Sequence, residues 1–114
     1  MDNDNDLDAI ITTFDGSPTQ IWLNNGAGHF MPGTLLASTN AYDTDLGDLD
    51  GDGDIDAFIL SADFNGVATS TVWLNDGAAQ FTVGYQVDEL PGIGDLGDLD
   101  GDGDLDFLGV GYTE

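Results

Sequence analysis

One acidic segment returns along the chain at a nearly constant interval. Residues 48–56 read Asp-Leu-Asp-Gly-Asp-Gly-Asp-Ile-Asp, residues 98–106 repeat them with Leu in place of Ile, and residues 2–8 carry a degenerate copy. The Trp-Leu-Asn motif at 22–24 likewise returns 51 residues later, at 73–75. The chain is therefore an internal repeat, built from similar units of about 50 residues.

Each unit reads as a series of short strands. An apolar stretch at 41–46, with a counterpart at 90–96, enters the acidic segment. The run 57–60, matched by 9–11 and 107–108, leaves it and is continuously apolar, as in a strand covered on both faces. A third strand is predicted at 71–74 and at 20–23.

The third strand is followed by a turn and a fourth strand. The turns are predicted at Asn25-Gly26 and Asp76-Gly77, dipeptides that tolerate the positive φ of hairpin turns. The fourth strands are predicted to start at Phe30 and Phe81. No segment has helical periodicity, so we predict an all-β fold of four-stranded antiparallel blades of a β-propeller.

The predicted blades do not fill the chain evenly. Residues 1–47 hold the first blade without its first strand, plus the first strand of the second blade. Residues 48–97 hold the rest of the second blade and the first strand of the third, and residues 98–114 hold a partial repeat. Three, four and two strands make little over two blades, whereas closed propellers need about four to eight. Further blades are expected from a longer chain or from neighbouring copies, as a ring or a fibre.

The charge of the chain excludes several classes of partner. It has 23 acidic residues, no Lys, no Arg and a formal net charge of −23. Binding to nucleic acids or to anionic membrane surfaces is excluded, and no apolar run approaches the length that spans a bilayer. The chain has no Cys, so disulfides and thiolate chemistry are excluded as well.

The acidic segments carry the predicted chemistry, because carboxylates at alternating positions around a glycine are hard oxygen ligands that suit Ca²⁺. Positions 1, 3, 5 and 9 can converge on one ion, with the backbone carbonyl of position 7. Gly53, Gly103 and Asn5 are expected to allow the sharp reversal of the backbone. The candidate ligand residues are Asp48, Asp50, Asp52, Asp54 and Asp56; Asp98, Asp100, Asp102, Asp104 and Asp106; and Asp2, Asp4, Asp6 and Asp8.

Other interpretations of these segments fit less well. An EF-hand needs Glu at position 12 and flanking helices, but position 12 is Ile11, Ile59 and Gly109. Mg²⁺ demands a rigid octahedron and keeps its waters. Solvated acidic turns remain an alternative, although so many carboxylates without a balancing cation would repel one another. We expect two complete Ca²⁺ sites and an incomplete third, because Met1 aligns with Leu49 and nothing aligns with Asp48.

These residues resemble the FG-GAP or VCBS-like repeats of integrin-α-type β-propellers, whose loops follow the pattern D-x-D-x-D-G-x-x-D. Residues 48–56 and 98–106 match that pattern throughout, and Trp-Leu-Asn with the following Phe is similar to the outer hairpin of the VCBS type. The resemblance implies a calcium-dependent propeller, located extracellularly or on the cell surface. It also implies adhesive, carbohydrate-associated or enzyme-attached relatives, and so a glycan or protein ligand.

The remaining residues favour a module without catalysis. Trp22 and Trp73 hold equivalent positions and are expected to pack between blades rather than stack on sugars. His29 is expected in a surface turn, and no serine has a basic partner nearby. We predict a non-catalytic calcium-binding structural or adhesive module of a secreted or surface protein. The alternatives are an accessory propeller of a secreted enzyme and a self-assembling protomer.

Overall fold

The protein is built from three antiparallel sheets. The computed structural model describes residues 1–62, 65–88 and 93–110, and these ranges contain nine strands and no helix. The strands are β1 (Ala9–Ile11), β2 (Pro18–Asn24), β3 (Phe30–Thr39), β4 (Ala41–Gly47), β5 (Asp56–Ala62), β6 (Ala68–Asn75), β7 (Phe81–Asp88), β8 (Ile93–Gly97) and β9 (Asp106–Val110). The described ranges thus offer no helix that could cross a membrane.

The strands pair in chain order. The first sheet is β1-β2-β3, the middle sheet is β4-β5-β6-β7, and the last sheet is β8-β9. The middle sheet is a complete four-stranded blade. The predicted all-β fold of propeller blades, with three, four and two strands, is confirmed. Of the strand predicted at 90–96, residues 93–96 lie in β8, while residues 90–92 lie outside the described ranges.

Strand β5 is buried along its whole length because the middle sheet has a neighbour on each face. Alternate side chains point to opposite faces of a strand. Ala57 and Ile59 join the core shared with the first sheet, while the ring of Phe58 meets that of Phe107 in β9 edge-on, with centroids 4.7 Å apart. In β1 and β9, each with one neighbouring sheet here, Ile11 and other apolar side chains are exposed.

The main core lies between the first and middle sheets. Its buried members are Ile21, Leu36, Ala41, Ala57, Ile59, Trp73, Ala79 and Phe81. Fully burying a side chain such as Ile21 or Leu36 contributes about 1.5–3 kcal/mol. Trp73 is 8% exposed, and its indole N–H donates to Ser38 Oγ at 3.0 Å across the sheets. The predicted packing role of Trp73 is confirmed.

A glycine of the last sheet lies close to the neighbouring strand of its own sheet and also bonds to the middle sheet. A Cβ built on Gly94 of β8 would lie 2.1 Å from Cζ of Phe107 and 2.7 Å from the carbonyl oxygen of Leu108. No larger residue fits beside that ring without moving it. The Gly94 N–H also donates to Asp43 Oδ2 at 3.1 Å, which joins β8 to β4, the first strand of the middle blade.

The hairpin turns are longer than the predicted dipeptides. Gly26 and Gly77 take positive φ angles of 78° and 79°, as expected, but each connection spans five residues, 25–29 or 76–80. The difference arises because a second residue in each turn, Gly28 or Ala79, also has a positive φ. Residue His29 is exposed in the first of these turns, as predicted.

A small group of acidic residues, Asp43 and Asp45 of β4 and Asp95 of β8, lies where these two strands meet. Asp45 Oδ2 is buried and accepts no hydrogen bond within the described residues. Its burial, followed by the charges of Asp43 and Asp95, raises the pKa of Asp45 above its ordinary value. The folded state therefore holds the Asp45 proton more tightly than the unfolded chain does, and folding loses stability as the pH rises through the pKa of the folded state.

We expect Asp45→Asn to stabilise the protein at pH 7, because asparagine cannot ionise and can donate to the neighbouring carboxylates. The gain should be about 1 kcal/mol, the low end of the cost of an unsatisfied buried group. Below about pH 3 the gain should vanish, because Asp45 is then protonated in both the folded and the unfolded state of the unsubstituted protein. Thermal unfolding of both proteins at saturating calcium measures the difference at each pH.

Asp15→Asn is the matched control. The Asp15 carboxylate is exposed, and hydrogen bonds from Ser17 lower its pKa, so its ionised form favours the folded state. This variant should gain nothing at pH 7. If Asp45→Asn also gained no stability at pH 7, the inference that the ionised Asp45 carboxylate destabilises the folded protein would be disproved.

Candidate metal centres

The three acidic segments lie in loops at the start of the second strand of each blade. The second loop (residues 48–56) joins β4 to β5, and the third loop (98–106) joins β8 to β9. The first loop (residues 2–8) leads into β1. The ninth position of a full loop is already the first residue of the following strand, so that carboxylate is fixed by the sheet.

The backbone of the three loops follows one course. Gly53 and Gly103 have φ angles of 93° and 96°, and Asn5, in the matching place, has 71°. The predicted left-handed position is confirmed in all three loops. Two residues earlier there is another, which the sequence analysis missed, at Gly51, Gly101 and Asn3.

The first carboxylate of the second loop organises the turn around itself. Asp48 Oδ1 accepts the N–H of Gly51 at 2.8 Å and of Asp52 at 3.1 Å, while its Oδ2 accepts that of Gly53 at 2.9 Å. The third loop repeats these bonds around Asp98. Backbone N–H groups thus stand in for the cations that the sequence lacks.

The ninth carboxylate of the second loop is the most constrained. Asp56 is fully buried; its Oδ2 accepts the Leu49 N–H and its Oδ1 accepts the Asn75 N–H, both at 2.8 Å. In the third loop Asp106 is half-buried and accepts the Leu99 N–H at 3.0 Å. The ninth carboxylate of each full loop therefore points from the start of a strand back into its loop.

The first loop reproduces this arrangement with a substitute donor. Asp8 Oδ1 accepts the Asn24 N–H at 2.9 Å, and its Oδ2 accepts from the amino terminus of Met1, in the place that Leu49 takes in the second loop. Burial acts to raise the pKa of Asp8, but the hydrogen bonds and charge of the amino terminus and the Asn24 N–H outweigh it and lower that pKa.

Two triads of carboxylates converge. Asp48, Asp50 and Asp56 each offer one oxygen within 4.8 Å of the others, and so do Asp98, Asp100 and Asp106. Two oxygens bound to one Ca²⁺ at about 2.3–2.6 Å can be at most about 5 Å apart, so each triad fits a single ion. Burial, and then the charges of Asp52 and Asp56, raise the pKa of Asp50 although it accepts the Asp52 N–H.

Positions 5 and 7 lie outside these triads. Asp52 Oδ1 accepts the Asp54 N–H at 2.9 Å, and Asp102 makes the same bond to Asp104. The carboxylate of Asp54 faces the first loop instead, where it accepts from Asn3 Nδ2 at 2.7 Å. Because the Asp54 side chain points away, its backbone carbonyl is the group at position 7 that could bind the ion, as the sequence analysis predicted.

Among the described residues, the first loop gathers no triad. It has counterparts of two triad members, Asp2 and Asp8, but none of Asp48. Asp4 Oδ1 accepts the Asp6 N–H at 2.9 Å, as position 5 does elsewhere. Burial, and then the charges of Asp4, Asp8 and Asp2, raise the pKa of Asp6.

Sequence reasoning missed the part of Asn75 in this centre. Its backbone N–H binds Asp56, and its side chain reaches the carbonyl oxygens of Met1 and Ile55. The repeated Trp-Leu-Asn motif marked the residue, but only the pairing of β5 with β6 places it beside Asp56.

Comparison with known proteins gives one result. Neither the curated proteins nor the solved structures contain a match to the chain. The family model of the FG-GAP-like repeat matches residues 1–59, just over half of the 114 residues. The match covers the first loop, the first sheet and the second loop with the start of β5. The chain belongs to the FG-GAP-like repeat family.

Proposed function

We propose that the chain is a non-catalytic, calcium-binding structural or adhesive module of a secreted or cell-surface protein. The observation that carries the proposal is the pair of carboxylate triads, one in each complete loop. Asp48, Asp50 and Asp56 would hold one ion and Asp98, Asp100 and Asp106 the other, with the carbonyls of Asp54 and Asp104 and the carboxylates of Asp52 and Asp102 completing the sets.

Calcium is favoured over other ions by the chemistry of the donors. The triads offer carboxylate oxygens alone, and no His or Cys lies in the loops, so soft transition metals lack their preferred ligands. Ca²⁺ accepts six to eight oxygens in irregular arrangements, whereas Mg²⁺ requires a near-perfect octahedron. Each triad also has a formal charge of −3 when ionised, which no Lys or Arg can neutralise and which a divalent cation would reduce.

The structural role follows from where the ligands lie. Asp48 comes directly after β4, and Asp56 is the first residue of β5, so an ion held by both would fasten the first two strands of the blade to each other. The same holds for Asp98 and Asp106 on the last sheet. When bound, calcium supplies this cross-link and no reaction chemistry.

We further propose that additional repeats of the same kind, from a longer chain or from neighbouring copies, cover the outer face of the first sheet. A cavity on that face is lined by Ala9, Ile11, Trp22 and Phe30. Their counterparts in the middle sheet are Ala57, Ile59, Trp73 and Phe81, all members of the buried core. The first sheet thus presents a surface of the type that packs against another sheet within this chain.

The face of the middle sheet toward the last sheet is only partly covered and has matching chemistry. A cavity of about 340 Å³ between these two sheets is lined by Val72 and Val87 of the middle sheet and by Phe107 of the last. Their counterparts in the first sheet, Ile21 and Leu36, are the fully buried residues against which Trp73 and Phe81 pack. This surface therefore fits a further hairpin that carries Trp and Phe at the same positions.

Calcium titration by calorimetry tests the proposal. The protein should bind two Ca²⁺ ions with dissociation constants of about 10⁻⁴–10⁻³ M, the range of extracellular modules. Asp48→Asn and Asp98→Asn should each remove one ion, and the double variant both. Asp15→Asn, at an exposed carboxylate outside the loops, should still bind two. The calcium sites would be refuted if the Asp48→Asn and Asp98→Asn variants still bound two ions, or if the unsubstituted protein bound none at millimolar calcium.

A further inference from the structure

The side chain of Asn75 joins two neighbouring loops. Asn75 is 4% exposed, and its Nδ2 donates to the Met1 carbonyl oxygen beside the first loop at 2.8 Å and to the Ile55 carbonyl oxygen in the second loop at 3.1 Å. Its Oδ1 accepts the Gly77 N–H in the hairpin turn at 3.2 Å. One buried amide thus ties the start of the chain, the second loop and the β6–β7 turn together.

Asn3 makes a second tie between the same loops. Its Nδ2 donates to Asp54 Oδ1 at 2.7 Å, across 51 residues of sequence. Asp54 is held by Asn3, the Ile55 carbonyl by the Asn75 side chain, and Asp56 by the Asn75 N–H. Consecutive residues in the last part of the second loop are therefore fixed from outside the loop.

The first part of the second loop is held differently. Asp48 orders it through the N–H groups of Gly51, Asp52 and Gly53, which are bonds within the loop. Asp54 and Asp56, at positions 7 and 9, each have one internal bond, between the Asp54 N–H and Asp52 and between the Leu49 N–H and Asp56. The ties to the first loop and to the hairpin add to these internal bonds.

The third loop differs from the second in these ties. The residue in the place of Asn3, one repeat later, is Gly51, which has no side chain to reach Asp104. Asp106 accepts the Leu99 N–H, as Asp56 accepts the Leu49 N–H in the second loop. The two triads thus share their residues and this internal bond, but the third loop lacks the tie made by Asn3.

We propose that Asn75 and Asn3 are positioning residues, through which the first loop acts as a brace that pre-organises the ion site of the second loop. This inference rests on the proposed calcium function. Fixing ligands before the ion arrives reduces the ordering cost of binding, and outer-shell partners of metal ligands typically contribute 10–100-fold to affinity. The brace adds affinity to the second loop and none to the third.

The decisive experiment measures calcium affinity one loop at a time. In an Asp98→Asn background, where only the second loop retains its triad, Asn75→Ala should weaken calcium binding about 10-fold by calorimetry. Asn3→Gly, which installs the residue found at 51 and 101, should weaken it by a smaller factor. In an Asp48→Asn background, neither change should move the affinity of the third loop.

Asp76→Ala is the matched control for the hairpin. Asp76 accepts the N–H groups of Ala78 and Gln80 in the turn that follows Asn75, but among the described residues it makes no hydrogen bond to any of the three acidic loops. It should leave the second-loop affinity within about twofold, because its exposed charge is screened at physiological ionic strength.

The possible outcomes distinguish failure of the brace from failure of the proposed calcium binding. If the native protein binds no calcium, the proposed function fails, and the brace with it. If it binds two ions but Asn75→Ala matches Asp76→Ala, or weakens both loops equally, the brace alone is overturned. Should Asn75→Ala fail to fold, Asn3→Gly decides: an unchanged second-loop affinity rejects the brace, and a selective loss supports it.

Discussion

Removing calcium is expected to lower the thermal unfolding midpoint by on the order of 20 °C. An ion held only by the folded loops stabilises by RT ln(1 + [L]/Kd), which is about 2.7 kcal/mol per site at a hundredfold excess over Kd. Two sites then contribute roughly 5 kcal/mol, comparable with the whole stability of a small domain at about 5–15 kcal/mol. For domains of this size, each kcal/mol corresponds to about 4–8 °C. Circular dichroism melts in excess EDTA, and then with calcium restored, measure the effect.

Two controls distinguish bound ions from general screening of charge. The double variant Asp48→Asn/Asp98→Asn, which lacks the first ligand of both triads, should be indifferent to EDTA. Sodium chloride at matched ionic strength should restore little of the lost midpoint, since screening acts on all 23 acidic residues and not on the loops alone. An unchanged midpoint in EDTA, or full rescue by sodium chloride, would mean that the loops are only acidic turns.

The strands could be predicted because their signals are local and occur more than once. β3 and β7 start at Phe30 and Phe81, the predicted residues, since the same turn and the same aromatic residue recur 51 positions apart. The continuous apolar run in β5 indicated burial on both faces, and the middle position of its sheet explains that burial. Repetition allowed each weak local pattern to be checked against its copies.

The candidate sites could be predicted only in part. The loops, their left-handed positions and the convergence of Asp48, Asp50 and Asp56 follow from spacing within nine residues. The tie from Asn3 to Asp54 and the burial of Asp45 do not, because they depend on how one sheet is placed against the next. No pattern along one strand specifies that placement. The second positive φ of the hairpin turns was missed because the two copies differ there: Gly28 favours a turn, but Ala79 gives no turn signal.

Asp56→Ala is expected to destabilise the protein even without calcium. The substitution leaves the buried N–H of Asn75 and the partly buried N–H of Leu49 without acceptors, and an unsatisfied buried group costs about 1–3 kcal/mol. We expect a loss of about 3 kcal/mol in EDTA, measured by urea denaturation. At saturating calcium the loss should grow by the contribution of one site, about 2.7 kcal/mol at a hundredfold excess over Kd.

Asp106→Ala separates the two roles of the ninth position. Asp106 belongs to an equivalent triad, but it is half-buried and, within the part of the chain that the structure describes, accepts one backbone N–H, from Leu99. Its loss in EDTA should therefore be smaller, about 1 kcal/mol, while its calcium-dependent loss should match that of Asp56→Ala. Asp56→Asn, which keeps one acceptor oxygen, should fall between them in EDTA. Equal losses for Asp56→Ala and Asp106→Ala in EDTA would show that the carboxylate of Asp56 serves the ion alone and does not hold β5 and β6 to the loop.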